Sequence, residues 1–266
     1  MRRYPLFCAL ENKKYDAAKL LIEHGADVNA TVYNNPLVCY GDIGADGVKL
    51  LIEYGADINS AIYQCNNYIP IICMFVTDVD MVDWLISKGA NITSIRNSLL
   101  TPLQMMFRCY SIISTDIIET VALLLKHGVP LNNMPIGEDS PLLAAIDNMI
   151  SSRCIELLLD AGANVDHKGR DGWRPLIKAT YYGCMNTTKL LIERGANVNV
   201  KRPNGLSPLF NACKQGHLEI VKMLIERGAN MHVKYCSKHT PLTIAQYHKH
   251  KEVVDYLTAY EQAKKT

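Results

Sequence analysis

The sequence predicts an all-α protein, a solenoid of about eight helix-turn-helix units joined by short hairpin or finger loops. Three observations predict it. Prolines recur at Pro5, Pro36, Pro70, Pro102, Pro141, Pro175, Pro208 and Pro241, separated by 31, 34, 32, 39, 34, 33 and 33 residues. A Gly-Ala, once Gly-Val, follows seven of them about twenty residues later, at Gly25, Gly55, Gly89, Gly128, Gly162, Gly195 and Gly228. Ahead of five of these glycines lies a leucine-rich run. A period near 33 residues means stacked helical units that share a continuous core between neighbours.

Each unit reads as helix, tight turn, helix, stop. Asn35, Thr101, Ser140, Ser207 and Thr240 precede a repeat proline. Their side-chain oxygens can take orphan amides, and a proline at the first helical position has no amide to leave unpaired, so the first helix is expected to start at the proline. Repeat one (residues 1–30) carries Leu20-Leu21-Ile22 on its second helix and stops at Gly25. Repeat two (31–60) carries Leu50-Leu51-Ile52, and its Gly44-Ala45-Asp46-Gly47 stretch is read as replacing the tail of the first helix. Repeat three (61–94) places Trp84 in line with the leucine runs, hence in the core. Repeat four (95–132) has 26 residues from Pro102 to Gly128 where Pro208 to Gly228 has 20, which predicts an enlarged inter-helix loop around residues 108–115. Repeats five (133–166) and six (167–199) carry Leu157-Leu158-Leu159 and Leu190-Leu191-Ile192. Repeat seven (200–232) is the clearest, and repeat eight (233–266) closes the array, so residues 1–266 read as one repeat domain. The second helices end at glycines, which accept a left-handed conformation. His24, Lys88, His127, Arg194 and Arg227 stand just before them, at the negative end of the helix dipole.

Thr240-Pro241-Leu242-Thr243-Ile244-Ala245 and Ser207-Pro208-Leu209-Phe210-Asn211-Ala212 resemble the Thr-Pro-Leu-His-x-Ala signature of the ankyrin-repeat family. The resemblance covers residues 4 to about 260 and implies helix pairs stacked into a curved solenoid, with fingers that form a concave face with the first helices. Units two to four depart from it: where five units have Ala9, Ala145, Ala179, Ala212 or Ala245 four residues after the proline, these have Tyr40, Met74 and Met106, so the packing there must differ. Such irregular repeats, with fingers as short as 30–35, look like the ankyrin arrays of poxviruses and other large DNA viruses. That likeness implies a host immune or ubiquitin-pathway protein as target. The F-box-like segment common in those proteins does not follow Leu257. The family also implies a possible substrate for an asparagine hydroxylase at Asn29, Asn59 and Asn199, against the plainer reading that these side chains tie down the turn.

Charge divides the chain. Residues 1–166 hold 11 Lys and Arg against 19 Asp and Glu, whereas residues 167–266 hold 17 against 7. Several cations fall in predicted fingers: Lys168, Arg170 and Arg174, then Lys201 and Arg202, then Lys234 and Lys238. Stacked side by side, they would form a positive strip that raises encounter rates with an acidic partner. Trp173, after the Asp171-Gly172 turn, is a candidate binding anchor. The plainer readings are solvated turn cations and a tryptophan packed on the stems of Arg174 or Lys201. The partner-binding residues expected from sequence are therefore Trp173, Arg170, Arg174, Lys201, Arg202, Lys234 and Lys238.

No phosphate-binding loop, dinucleotide fingerprint, HExxH or GxSxG motif is present. Cys236, His239, His248 and His250 match no common zinc spacing, so neither a metal nor another cofactor is expected. Nine cysteines without a CxxC pair, several at apolar repeat positions (Cys8, Cys39, Cys73), read as reduced buried thiols. No stretch of eighteen uncharged apolar residues exists, and Pro5 enters a repeat at once, leaving no room for a signal peptide. The sequence reads as a non-catalytic scaffold, a monomer or weak oligomer without membrane attachment, in the cytoplasm (the host's if viral) or the nucleus. It would capture one or more proteins through an acidic surface or peptide. The alternatives are nucleic-acid or phosphorylated-ligand binding by the same cations, and the substrate-binding half of a ubiquitin-ligase adaptor.

Overall fold

A computed structural model describes residues 4–64, 67–93, 100–109, 117–134, 138–236 and 238–264. They fall into two compact bodies, one running to Pro130 and the other beginning at Leu131.

The first body contains α1 (Pro5–Glu11), α2 (Tyr15–Glu23), α3 (Gly44–Glu53), α4 (Val79–Ser87), α5 (Pro102–Cys109) and α6 (Ile117–Lys126). Two antiparallel hairpins accompany them, β1 (Thr31–Val32) with β2 (Asn35–Pro36) and β3 (Ala61–Gln64) with β4 (Asn67–Pro70). These hairpins overturn the expected helix starts in repeats two and three. Pro36 and Pro70 pair across the hairpins with Thr31 and Ala61, and with ψ of 136° and 157° they are extended. Only 3-10 turns follow, at Leu37–Cys39 and Ile71–Phe75. Asn35 is accordingly a strand residue and caps no helix.

Tyr40 cannot sit where alanine permits close helix packing. It turns aside instead: its hydroxyl donates to the Val32 carbonyl at 2.7 Å and its ring meets Phe7 edge-on at 5.1 Å. The Gly44–Gly47 stretch also differs from expectation, being the first turn of the second helix, α3. Gly47 is buried there, and a Cβ on it would lie 3.1 Å from the Cβ of Ile43, so the turn has no room for a larger residue. In repeat four, α5 is a full helix with Met105, Met106 and Phe107 wholly buried. Thr101 and Gln104 cap it reciprocally, at 2.6 and 3.2 Å. Most of the enlarged loop expected there lies outside the described residues.

The second body contains α7 (Pro141–Asp147), α8 (Ser152–Asp160), α9 (Pro175–Tyr181), α10 (Met185–Glu193), α11 (Pro208–Gln215), α12 (Leu218–Glu226), α13 (Pro241–Tyr247) and α14 (Lys251–Ala263). The first helices α7, α9, α11 and α13 pack on one another in sequence, and α8, α10, α12 and α14 form the second layer. Ser140, Ser207 and Thr240 each accept the amide three residues on, as their sequence positions predict. The seven stop glycines all have positive φ, from 76° to 95°. Each closes its helix with a pair of bonds such as Gly228 N–H to Ile225 C=O at 3.0 Å and Ala229 N–H to Leu224 C=O at 2.9 Å. The core follows the leucine runs: Leu51, Leu124, Leu158 and Leu191 are wholly buried.

Asparagines tie successive repeats together. Asn199 donates from Nδ2 to the Gly228 carbonyl at 3.1 Å and accepts the Asn230 amide at 2.8 Å. Asn29 does the same with Gly55 and Asp57, and Asn59 accepts the Asn91 amide at 2.8 Å. All three carboxamides thus have a structural role, but it links each turn to the backbone of the next repeat, where the sequence reading had them tie down their own turn. With 3-10 turns in place of first helices, repeats two and three carry fewer regular backbone bonds. We expect hydrogen exchange at 37–43 and 71–76 to outpace that in α11 and α12; equal protection would contradict this.

Candidate functional site

The site begins with a turn. Arg170–Gly172 wind into one 3-10 turn, with the Trp173 amide donating to the Arg170 carbonyl at 3.0 Å. The Gly169 amide closes it by donating to the Trp173 carbonyl at 2.9 Å. This clasp fixes Trp173 two residues before α9, and the indole is half-buried. The Arg202 guanidinium lies 4.2 Å from the ring centroid and the Lys178 ammonium 5.0 Å from it. Tyr181 meets the indole edge-on at 5.8 Å and Tyr182 in turn at 5.2 Å. Arg202 is held in place by its Nε–H, which donates to the Asp171 carbonyl at 2.9 Å.

Lys178 is nearly buried, with 11% of its side chain exposed, and its ammonium pairs with Asp147. The same carboxylate oxygen accepts the Tyr182 hydroxyl at 2.6 Å. Burial first, then this hydrogen bond, pushes the Tyr182 phenol well above its usual range. Burial likewise pushes the Cys39 thiol up to about 12 and the Cys213 thiol upward, so neither offers a ready thiolate.

The expected contact residues divide into two groups. Arg170 pairs with Glu138 at 3.1 Å, and its amide donates to Asp139 at 3.0 Å. Arg174 donates to the Asp166 carbonyl. Arg194 pairs with Asp160. Three cations of repeat six, Arg170, Lys178 and Arg194, therefore meet acids of repeat five. Lys201, Lys234 and Lys238 are exposed and pair with no carboxylate among the described residues. Their fingers are neighbours: the Cys236 amide donates to the Asn204 carbonyl at 2.9 Å, and the last finger closes through the Tyr235 amide and the His239 carbonyl at 2.8 Å.

The cations over the Trp173 ring are Arg202 and Lys178. Trp84, expected in the core, is half-buried, with the Lys49 and Lys88 ammonium groups 5.8 and 5.7 Å from its ring. Sequence reasoning missed Lys178, Asp147, Tyr181 and Tyr182. The signal for Lys178 was available, because it stands where other first helices have Ala144, Asn211 and Ile244. Of the four residues weighed for a metal, His250 donates from Nε2 to the Lys214 carbonyl at 2.9 Å. Among the described residues no three His, Cys, Asp or Glu side chains gather to hold a metal ion, and no helix is long and apolar enough to cross a membrane.

A family model described as ankyrin repeats in three copies matches residues 109–202 and 176–266, and one described as an ankyrin repeat matches residues 2–32. No curated protein matches the chain. With these matches spanning well over half the chain, and helix pairs stopped at glycine in every matched repeat but the last, the protein belongs to the ankyrin-repeat family.

Proposed function

We propose that the protein is an interaction scaffold that captures an acidic protein surface or peptide along the fingers of repeats six to eight. Ankyrin repeats are in general protein–protein interaction scaffolds, and the family is typically non-catalytic. The observation that carries the finer reading is the Trp173 ring, clasped on a bonded turn between Arg202 and Lys178, beside exposed Lys201, Lys234 and Lys238. A preorganised aromatic anchor beside unpaired cations suits a carboxylate-rich partner, because little side-chain entropy is lost on docking. Arg170 and Arg174 act here as supports of the turn. The irregular, large-DNA-virus-like repeats extend the proposal to a host immune or ubiquitin-pathway protein as partner, met in the cytoplasm by a chain that is a monomer or weak oligomer.

The test compares wild type with a Trp173→Ala, Lys201→Glu, Arg202→Glu, Lys234→Glu variant, confirmed folded by circular dichroism. Each is used for affinity capture from lysate with mass spectrometry, then for titration of the identified partner. Loss of affinity by about 100-fold or more is expected, since buried anchors and close charge pairs each contribute at least a few-fold. Unchanged affinity would remove this site. Retention of only an RNA oligonucleotide, with a steep salt dependence, would replace the protein partner by nucleic acid.

A further inference from the structure

The contact zone around Trp173 continues along the ends of the first helices. Trp173 meets Tyr181 edge-on at 5.8 Å, and Tyr181 is the sixth residue after its repeat proline. Because α9, α11 and α13 begin at Pro175, Pro208 and Pro241 and pack on one another in sequence, the same register sets Tyr181, Lys214 and Tyr247 in one row. All three are exposed, Tyr181 by 40% and Tyr247 by 75%. The last turn adds His248, Lys249 and Lys251, also exposed. This turn adjoins the end of α11, since His250 donates from Nε2 to the Lys214 carbonyl at 2.9 Å.

The charge of the row is local. The three first helices with their turns, residues 175–185, 208–218 and 241–251, hold four lysines and three histidines and neither Asp nor Glu. Lys178 pairs with Asp147 of repeat five, whereas Lys214, Lys249 and Lys251 pair with no carboxylate among the described residues. The first carboxylate after the repeat-seven turn, Glu219, is committed to Lys222 at 2.7 Å. Lysines on neighbouring turns without a counter-charge repel one another, and a partner that brings carboxylates relieves that repulsion. The rings favour a peptide over a nucleic acid. The Trp173 ring already carries Arg202 and Lys178, Tyr181 meets Trp173 and Tyr182 edge-on, and Tyr247 meets His248 edge-on, so little open ring face remains for stacked bases. Rigid phenols at the two ends of the row supply contact area for side-chain stems at low entropic cost.

We infer that Tyr181, Lys214 and Tyr247, with Lys249 and Lys251 beside them, form the docking surface for an extended, carboxylate-rich segment of the partner protein that lies across α9, α11 and α13. The inference rests on the acidic-partner reading above and carries its contact from the fingers onto the first helices. Packed helices stand about 8–10 Å apart and an extended chain advances about 3.3 Å per residue, so about six residues cross from Tyr181 to Tyr247.

The test is fluorescence anisotropy at 150 mM salt with two labelled twelve-residue peptides, alternating Glu-Pro and alternating Lys-Pro, and a labelled twelve-nucleotide oligothymidine. The glutamate peptide is expected to bind at least about tenfold tighter than the lysine peptide. Lys214→Glu and Tyr247→Ala are each expected to weaken it by about fivefold. Lys249→Gly guards against loss through unfolding, because Lys249 has a φ of 62°, which glycine adopts freely, and a loss of about threefold is expected. If all three variants bind the glutamate peptide as wild type does, the inference is overturned; the finger reading then stands only if Lys201→Glu, Lys234→Glu still weakens binding. If the three weaken binding and the finger variant does not, the inference holds and the fingers lose their role. Equal binding of both peptides to wild type would overturn both readings. Tighter binding of the oligothymidine than of the glutamate peptide would put phosphates in place of carboxylates and overturn the inference.

Discussion

A Gly205→Ala chain is expected to lose roughly 2–4 kcal/mol of stability, with repeats seven and eight opening first. Gly205 closes the finger of repeat seven, its amide donating to the Arg202 carbonyl at 2.9 Å while the Arg202 amide donates to the Leu206 carbonyl at 2.9 Å. Its φ is 86°, where a side chain is strained in any surroundings. The surroundings are also closed. A Cβ would lie 2.3 Å from the Lys234 carbonyl oxygen and 3.4 Å from the Tyr235 Cα. These are backbone atoms and cannot rotate away, so the last finger must move and the Asn204–Cys236 bond must stretch. Urea denaturation should show an earlier midpoint, and hydrogen exchange should quicken in residues 230–247. An unchanged midpoint would mean that the two fingers are not in contact, and the row of Lys201, Lys234 and Lys238 would lose its basis.

The second large effect is expected at Asp147. Its carboxylate serves both the nearly buried Lys178 ammonium and the Tyr182 hydroxyl, and Asp147→Ala leaves both without that partner. Removing one member of a fully buried pair costs about 3–5 kcal/mol; with 37% of the Asp147 side chain exposed, water can reach the site, and about 2–3 kcal/mol is expected. The double variant Asp147→Ala, Lys178→Met should recover most of the loss, because the stranded ammonium goes with its partner. Failure to recover would place the cost in packing. Alkaline titration gives an independent readout. The Tyr182 phenol is raised above its ordinary value of 10.0 by burial and by Asp147. The unfolded chain therefore ionises first, and the stability from this group is full below pH 10 and falls as pH rises past it. That fall should be shallower in Asp147→Ala. The variant should also weaken partner capture, since Lys178 is one of the two cations that hold Trp173.

Legibility in the sequence followed the range of the interactions. Ser140, Ser207 and Thr240 were readable as helix starts because a cap bonds to an amide three residues away. Asn35 looked the same and caps nothing, because Pro36 had a competing use as the last pair of a hairpin with Thr31. Gly44–Gly47 was misplaced for a related reason. Glycines usually end helices; here Gly44 has a φ of 68° and a Cβ on Gly47 would crowd Ile43, and neither is visible in the sequence. Trp84 matched the leucine period but is only half-buried, with the Lys49 and Lys88 ammonium groups over its ring.

In the candidate site, the sequence identified Trp173 and the finger cations by type and position. It could not tell a free cation from a paired one. Arg170 and Lys201 occupy similar finger positions, yet Arg170 is paired with Glu138, 32 residues earlier, and Lys201 is exposed. The capped helix starts at Ser140, Ser207 and Thr240, the glycine stops and the repeat period were thus determined by the sequence alone, because each depends on backbone preference and on partners within about five residues. The hairpins in place of two helices, the pairing of repeat five's acids with repeat six's cations, and the clasp around Trp173 were decided by tertiary structure. The charge pairs and the Arg202 contact join residues about one repeat apart, and only stacking one unit on the next brings them within reach; the hairpin partners are near in sequence, but strand and helix compete for the same prolines.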